Sequence, residues 1–292
     1  MLSILIPTYN YNVFNMVSML HHQCVENNLI YEIIVLDDGS GSMLNIENQK
    51  INSLVNCSFS SLEKNIGRTA TRKKLAETAL YSNLLFLDAD VIPVFDNFIA
   101  QYIPYLGQKV VVFGGYAYRD DNPEAGKVLR LAYGREREEQ PAKIRNKIPY
   151  SAVFSGNFLI DVQQFLENNY PGPENFYGMD NYFGFSLYKN KVKVLHINNP
   201  IYHLGLEKDS VFFEKSLESV RNRKLLLQQF PDMAHGNNLL KHYNRIKKYG
   251  LVMIVKIVFR IMEPFLKNKI LNKKPSLFAF DLYRLGYICS LK

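Results

Sequence analysis

The sequence contains no tryptophan and, in 292 residues, three cysteines. Cys24, Cys57 and Cys289 are odd in number, far apart and without a CxxC pair. This argues against a disulfide framework or a zinc knuckle and for a reducing cytoplasm. No uncharged apolar run approaches the roughly 18 residues of a membrane-spanning helix. The start, Met1-Leu2-Ser3-Ile4-Leu5-Ile6-Pro7, lacks a basic n-region and a long apolar segment. It reads as a buried first strand and not as a signal peptide. Internal repeats and low-complexity segments are missing as well. With 21% charged and 47% hydrophobic residues, the composition is not that of a disordered chain. It supplies a core for one large domain or a domain with an appendage.

The excess positive charge sits at one end. Residues 241–292 carry 12 Lys and Arg against Glu263 and Asp281, a balance of +10, while the other 240 residues carry 23 basic and 25 acidic side chains. The formal charge of +8 therefore belongs to the tail. This disfavours a nucleic-acid-binding core, so no nucleic-acid partner is expected, and favours a tail that meets an anionic surface. The 19 Tyr and 19 Phe suit stacking on bases or sugars, but most are expected to pack the core.

Apolar periodicity lays out the first half. Residues 3–6 form a short strand stopping at Pro7-Thr8-Tyr9-Asn10. Residues 12–27 place Val13, Met16, Val17 and Leu20 at helical spacing. Residues 32–36 are a second strand, broken by Asp37-Asp38-Gly39-Ser40-Gly41-Ser42. Residues 53–59 predict a third strand. Residues 69–81 predict a helix with Leu75, Ala76, Ala79 and Leu80 on one side, and residues 83–87 a fourth strand ending at Asp88-Ala89-Asp90. The order is β-α-β-β-α-β, with strands apolar on both faces, as in a mostly parallel sheet buried between helices. The polar clusters follow the strands at their carboxyl ends, where open α/β sheets bind ligands. Further on, residues 109–118 predict a strand broken at Gly114-Gly115, and residues 119–146 a charged loop plus a helix. Residues 153–160 and 192–197 predict strands flanking 172–188.

Asp88-Ala89-Asp90 is the strongest local signal. Two carboxylates on a strand-end turn are costly unless solvated, paired or metal-bound. Together they can hold one hard divalent cation that also contacts a diphosphate; alone, such a pair can be a solvated turn. Its context is ordered: Pro7-Thr8-Tyr9-Asn10, then Asp37-Asp38-Gly39-Ser40, then Asn65-Ile66-Gly67 with Arg68 and Arg72, then the Asp pair. The series resembles the nucleotide-binding half of the family-2 glycosyltransferases. Their pattern runs P-x-Y-N, D-D-G-S, N-x-G-x-x-x-x-R and D-x-D, and the match covers roughly the first 120 residues.

The resemblance implies a GT-A-like α/β fold, a mostly parallel central sheet flanked by helices, here with a C-terminal helical basic tail. It implies inverting transfer from a nucleoside-diphosphate sugar, a uridine one, to a glycan or lipid-linked acceptor of the cell envelope, with Mn²⁺ or Mg²⁺ as cofactor. Within it, one of Asp37 and Asp38 accepts a hydrogen bond from the uracil imide, the choice being open. Pro7, Thr8 and Tyr9 line the base and ribose pocket. Asn65 and Gly67 shape a turn near the ligand. Arg68 or Arg72 reaches the base or diphosphate, or else faces water. Asp88, Ala89 and Asp90 meet the diphosphate, and Asp88, Asp90 and His203 hold the cation, with His196 competing for the histidine's place. Ser155-Gly156-Asn157-Phe158 resembles the segment before the acceptor site, with Gly156 and Asn157 on the sugar pocket. Tyr177-Gly178-Met179-Asp180 resembles the family's Glu-Asp motif, with Asp180 as general base. Met179 stands where the family has Glu, and Tyr182 where it has a downstream acid. The alternative for Asp180 is a helix-start residue complementing the dipole; Glu174 or Asp161 would then be the base.

The expected organisation is a nucleotide-sugar half over residues 1–115, an acceptor-binding and catalytic half over 116–215, and a basic helical extension over 216–292. In the extension, Lys256, Arg260, Glu263 and Lys267 put a charged stripe on one side of an otherwise apolar helix, which Pro264 should bend or end. This segment either lies in the headgroups of an anionic membrane, placing a cytoplasmic protein on the membrane's inner face, or packs back on the catalytic domain. Three rivals are weighed against transfer. One is a degenerate nucleotide-sugar binder, which Met179 and Tyr182 keep open. A sugar nucleotidyltransferase needs a Gly-rich loop that Ile6-Pro7-Thr8-Tyr9-Asn10 lacks. A haloacid-dehalogenase-type phosphatase carries D-x-D on the first strand, and here it follows the fourth.

Overall fold

The computed structural model describes residues 1–119, 126–172 and 176–291. Its first half is built from β1 (Leu2–Thr8), α1 (Phe14–Glu26), β2 (Tyr31–Asp37), α2 (Asn45–Asn48), β3 (Cys57–Ser61), α3 (Arg68–Thr78) and β4 (Asn83–Leu87). β1 lies between β2 and β4, parallel to both, and β3 pairs in parallel with β2. Ile4 and Ile6 pack with Met16, Val17 and Leu20 of α1, whereas Leu5 packs with Leu75 and Ala76 of α3 on the other face. This is the alternation of a strand covered on both sides. The third strand starts only at Cys57, because residues Gln49–Ser53 form a 3₁₀ turn anchored by buried Ile51. The helix expected over 69–81 ends at Thr78, which leaves Leu80 exposed.

The second half contains β5 (Val91–Pro93), β6 (Val111–Phe113), β7 (Tyr116–Ala117), α4 (Val128–Tyr133), α5 (Ala142–Arg145), β8 (Asn157–Asp161), α6 (Val162–Asn168), α7 (Asp180–Lys189), β9 (Val194–His196) and β10 (Ile201–His203). The large sheet has the order β3-β2-β1-β4-β8-β6-β9. Only β8 is reversed, running antiparallel to β4 and β6, so the sheet is mostly parallel. The run expected over 109–118 is two strands in two sheets, since β7 joins β5 and β10 in a three-stranded sheet. Gly114-Gly115 makes the crossing possible. A Cβ on Gly114 would lie 2.3 Å from atoms of Asn157 and Asn199, and Gly115 has φ +100°.

α8 (Asp209–Gln229), α9 (Asn238–Lys248), α10 (Val252–Ile270) and α11 (Leu277–Ser290) complete the chain. Pro264 does not end α10. The carbonyl it leaves without a partner belongs to Arg260, an exposed residue, where water can satisfy it. Phe259, Leu266 and Ile270 of α10 share one core with Phe212 and Phe213 of α8 and Phe280 of α11. The tail therefore packs back on α8 and on Leu129 of α4, and the boundary expected at 215/216 falls inside α8. The opposite face of α10 stays uncovered: Met253, Ile254, Ile257, Val258, Ile261 and Phe265 are exposed, Ile261 to 73%. No helix among the described residues is long and apolar enough to cross a membrane. All three cysteines are free.

Candidate active site

The carboxyl ends of β1, β2 and β4 open onto a cavity of about 640 Å³. Pro7, Thr8 and Tyr9 form one wall, and Asp38, Asn65 and Gly67 another. The parallel register sets Thr8 beside Asp37, and the Asp38 N–H donates to the Thr8 carbonyl at 2.8 Å. Asp37 is fully buried and accepts hydrogen bonds from the Ser40 N–H (2.9 Å) and hydroxyl (2.7 Å), which fixes the turn. Of the pair left open by the sequence, Asp38 is the one at the cavity. Its carboxylate accepts from the N–H groups of Ile66 and Gly67 at 2.8 and 2.9 Å, tying that loop to β2. Gly39, at φ +67°, passes so near Lys64 that a Cβ would lie 2.4 Å from its carbonyl carbon.

Asp88, Ala89 and Asp90 complete the cavity with Arg68. Arg68 opens α3 and Arg72 lies one turn on, so both reach the same carboxylate. Arg68 meets Asp88 at 2.5 Å and Arg72 meets it at 2.7 Å. Burial opposes ionisation of Asp88, but the two guanidinium groups more than offset it and hold the pKa at about 2. Arg68 is half exposed at the cavity, whereas Arg72 is buried behind Asp88. The β4–β8 pairing brings Gly156 against Asp88, where a Cβ would lie 2.5 Å from the carboxylate and 2.0 Å from the Tyr116 hydroxyl. Asn157 is fully buried, and its amide is engaged with the Tyr102 hydroxyl and the carbonyls of Gly115 and Asn199. Gly156 and Asn157 thus stand behind the wall of the cavity and do not line it.

β5 leaves directly from Asp90, and β10 pairs antiparallel with it, His203 opposite Val91. The Leu204 N–H extends this ladder to the Asp90 carbonyl at 2.8 Å. His203 Nε2 consequently lies 3.5 Å from an Asp90 carboxylate oxygen, longer than a good hydrogen bond. Its Nδ1 is buried with no hydrogen-bond partner among the described residues. Burial lowers the His203 pKa against the opposing charge of Asp90, which favours the neutral, ligating form. Gly205 is needed here, since a Cβ would fall 1.9 Å from the Asp90 carboxylate. No group of three or more His, Cys, Asp or Glu among the described residues could hold a metal ion, because Asp88 is directed at the two arginines. Asp90 and His203 alone, under-bonded and facing a cavity, suit a cation bound largely through substrate phosphates and water. His196 is ruled out as the ligand. It is buried, Nδ1 meets the Arg145 guanidinium at 2.9 Å, and Nε2 meets the Pro149 carbonyl at 2.9 Å.

Asp180 opens α7 and lines a second cavity, of about 800 Å³. Arg68 and Tyr177 line both cavities and form the wall between them. The Ser155 hydroxyl donates to the Asp180 carboxylate, and Ser155 itself is held by Arg72. An unbroken chain, Asp88–Arg72–Ser155–Asp180, therefore joins the two cavities. Met179 and Tyr182, standing where acids were expected, pack into an apolar cluster with residues of α8 and α9. Asp161 is engaged as the cap of α6, accepting from the N–H groups of Gln163 and Gln164. Glu174 lies outside the described residues.

Sequence reasoning missed Arg130, Glu207 and Lys215, which also line the first cavity. Arg130 is paired with Glu138 at 3.0 Å and with the Tyr118 hydroxyl at 2.9 Å, and Lys215 is paired with Glu207. They come from α4, α8 and the segment after β10, far from the motifs. The available signal was Gly205, two residues past His203, a glycine that marks a close approach.

Residues 3–162 match the sequence model of glycosyl transferase family 2. No curated protein matches the chain. Among solved structures it is similar to S. aureus TarS 1–349 in complex with UDP-GlcNAc, at 14% identity over 98% of this chain and 89% of that one, with a TM-score of 0.53. It is also similar to the mannosyltransferase PcManGT from Pyrobaculum calidifontis in complex with GDP-Man and Mn²⁺, at 10% identity over 98% and 85%, with a TM-score of 0.60. A third is glucosyl-3-phosphoglycerate synthase from Mycobacterium tuberculosis with Mn²⁺, UDP and glucosyl-3-phosphoglycerate, at 16% identity over 78% of each chain and a TM-score of 0.50. At these identities the likeness is one of fold.

Proposed function

The chain belongs to glycosyl transferase family 2 and has the GT-A fold, and from that premise we propose that it moves a sugar from a uridine diphosphate donor to a glycan or lipid-linked acceptor, with inversion at the anomeric carbon. The observation that carries this reading is the pair of cavities meeting at Arg68 and Tyr177. Two half-sites on one scaffold are what an in-line displacement needs.

The donor occupies the first cavity. Asp38 accepts the uracil imide N–H, with Thr8 and Tyr9 against base and ribose. Asp90 and His203 would hold a divalent cation, which when bound neutralises charge developing on the leaving diphosphate. Arg68, half exposed and lining the cavity, meets the same phosphates. Arg72 keeps Asp88 in place. The acceptor enters the second cavity, where Asp180, oriented by Ser155, takes the proton from the attacking hydroxyl. A base on one side and a leaving group on the other give a single displacement.

The uncovered face of α10 belongs to the same reading. Its apolar side chains enter the headgroup region of an anionic membrane, with Lys256, Arg260 and Lys267 beside them, each adding on the order of 1 kcal/mol of attraction. This places the protein at the cytoplasmic surface of a membrane, within reach of a lipid-linked acceptor for cell-envelope polysaccharide. The test of transfer is release of UDP from a panel of UDP-sugars with Mn²⁺. Release above the spontaneous rate, lost in Asp180→Asn, supports it. UDP binding without turnover of any of them leaves the degenerate binder as the better reading.

A further inference from the structure

Three polar side chains on one face of α8 reach the second cavity. Ser216, Ser219 and Arg223 lie at i, i+3 and i+7 and all line it. The Arg223 Nε donates to the Ser219 carbonyl at 3.2 Å. Among the described residues its terminal nitrogens make no hydrogen bond or ion pair, and neither serine hydroxyl makes a hydrogen bond. None of these atoms is sealed from solvent.

An unpaired guanidinium is unexpected in a cavity that also holds three carboxylates. Each of the three is engaged elsewhere. Asp281 lies between Arg137 and Arg284. Glu138 is held by Arg130 and Tyr118. Asp180 is held by Ser155. The charged side chain that acts on Arg223 is another cation, Arg284, which stacks on Phe280 with its guanidinium carbon 4.6 Å from the ring centre. Burial, together with Arg284, pushes the Arg223 pKa down to about 10, so it remains charged at neutral pH. The site wants an anion with several acceptor oxygens, which a guanidinium and two hydroxyls can share.

We infer that Arg223, Ser216 and Ser219 bind a phosphate group carried by the acceptor. This rests on the reading of the second cavity as the acceptor's. The position suits it. Ser219 presses against Gly178, where a Cβ would lie 2.3 Å from the serine hydroxyl, and Gly178 stands two residues before Asp180. Arg223 is one turn further along α8, about 6 Å along its axis. A phosphate held there anchors the acceptor beside the base without blocking it. Phe278, Leu282 and Ile148 line the same cavity and are exposed, to 73%, 42% and 54%. An apolar tail attached to the phosphate has a surface to lie on.

The experiment measures binding of inorganic phosphate, farnesyl phosphate and farnesol to the full chain saturated with UDP and Mn²⁺, which fill the first cavity. Both phosphates should bind the wild type, farnesol should not, and Arg223→Gln should weaken phosphate binding at least tenfold while UDP affinity stays within twofold. Arg223→Lys and Ser219→Ala should each lose a few-fold, and they decide the matter if the glutamine variant is unfolded. Tighter binding of farnesyl phosphate than of inorganic phosphate identifies a lipid headgroup; equal binding identifies a soluble phosphorylated glycan. The inference is overturned if neither phosphate binds the wild type, or if the Arg223 and Ser219 variants bind as it does. Failure of UDP itself to bind would instead refute the donor reading. The contrast between wild type and Arg223 variants is then read without nucleotide.

Discussion

Arg72 donates to Ser155 twice, to its hydroxyl at 2.6 Å and to its carbonyl at 2.5 Å. Through this one pair Asp88 at the first cavity and Asp180 at the second are held in fixed relation. Ser155 is thus a positioning residue for Asp180.

Removing the hydroxyl should show this. Hydrogen bonds to charged groups are worth about 1.5–3 kcal/mol. Ser155→Ala is expected to lower kcat by roughly 10-fold to 100-fold, with UDP affinity little changed. Ser155→Thr, which keeps the hydroxyl, should recover most of the loss. Steady-state kinetics with a separate UDP titration makes the comparison.

Asp180→Asn keeps the size of the side chain but cannot accept a proton at neutral pH. Turnover should fall at least about 100-fold. Because Asp180 lines the second cavity and not the first, UDP should bind the variant as it binds the wild type. Near-normal turnover would remove Asp180 from the role. Asp161 is no substitute, being engaged as a helix cap.

Asp90→Ala and His203→Ala should each abolish the part of the UDP-induced rise in Tm that depends on Mn²⁺, with the fold intact. Asp88→Asn should behave differently. It leaves Arg68 and Arg72 without their carboxylate, so the chain itself should lose about 3 kcal/mol of stability. Melting curves with UDP, with and without a chelator, separate the two effects. Identical curves with and without chelator would exclude the cation.

Much of this site was legible in the sequence because strand-end loops of a parallel sheet converge. The motifs ending in Asn10, Ser40, Gly67 and Asp90 needed only the order of the strands to be brought together. Partner choice was not legible. That Asp37 turns inward and Asp38 outward depends on the register of β2 with β1. That Asp88 is neutralised by two arginines depends on where α3 begins. Asn157 was a reasonable candidate by resemblance, but β8 is a central strand, and its side chain faces the core. Arg223 was invisible, since nothing in the pattern of an amphipathic helix says which of its charges lacks a counter-ion.

His196 makes stability depend on pH. Its ordinary pKa of 6.5 is lowered to about 4 by burial, and the nearby Arg145 adds to this. Below pH 6.5 the unfolded chain binds a proton that the folded chain refuses. Stability from this group is therefore complete above pH 6.5 and is lost as pH falls toward 4, on the order of 3 kcal/mol in all. Tm should fall across that window in the wild type and more shallowly in His196→Gln, measured by calorimetry. A slope unchanged by the substitution would assign the effect to other groups.

For the membrane surface, the fold dictates the choice of variant. Truncation before α9 would expose the apolar side of α8 that α10 and α11 cover, so loss of binding would say little. Ile257 and Ile261 are exposed and lie one turn apart. Replacing both by Asp should leave Tm nearly unchanged and abolish sedimentation with anionic vesicles at low salt. Wild-type chain remaining in the supernatant under those conditions would refute the membrane placement.

The small sheet also bears on how such chains can be recombined. β10 delivers His203 to Asp90 from more than a hundred residues away, so the first cavity is not contained in the segment that matches the family model. A chimera joined near residue 115 or 162 would exchange His203 and Gly205 along with the second cavity's α7 and α8. Any graft meant to alter the second cavity alone must take residues 201–205 from the parent that supplies the first, as an insert that keeps β10 in register with β5.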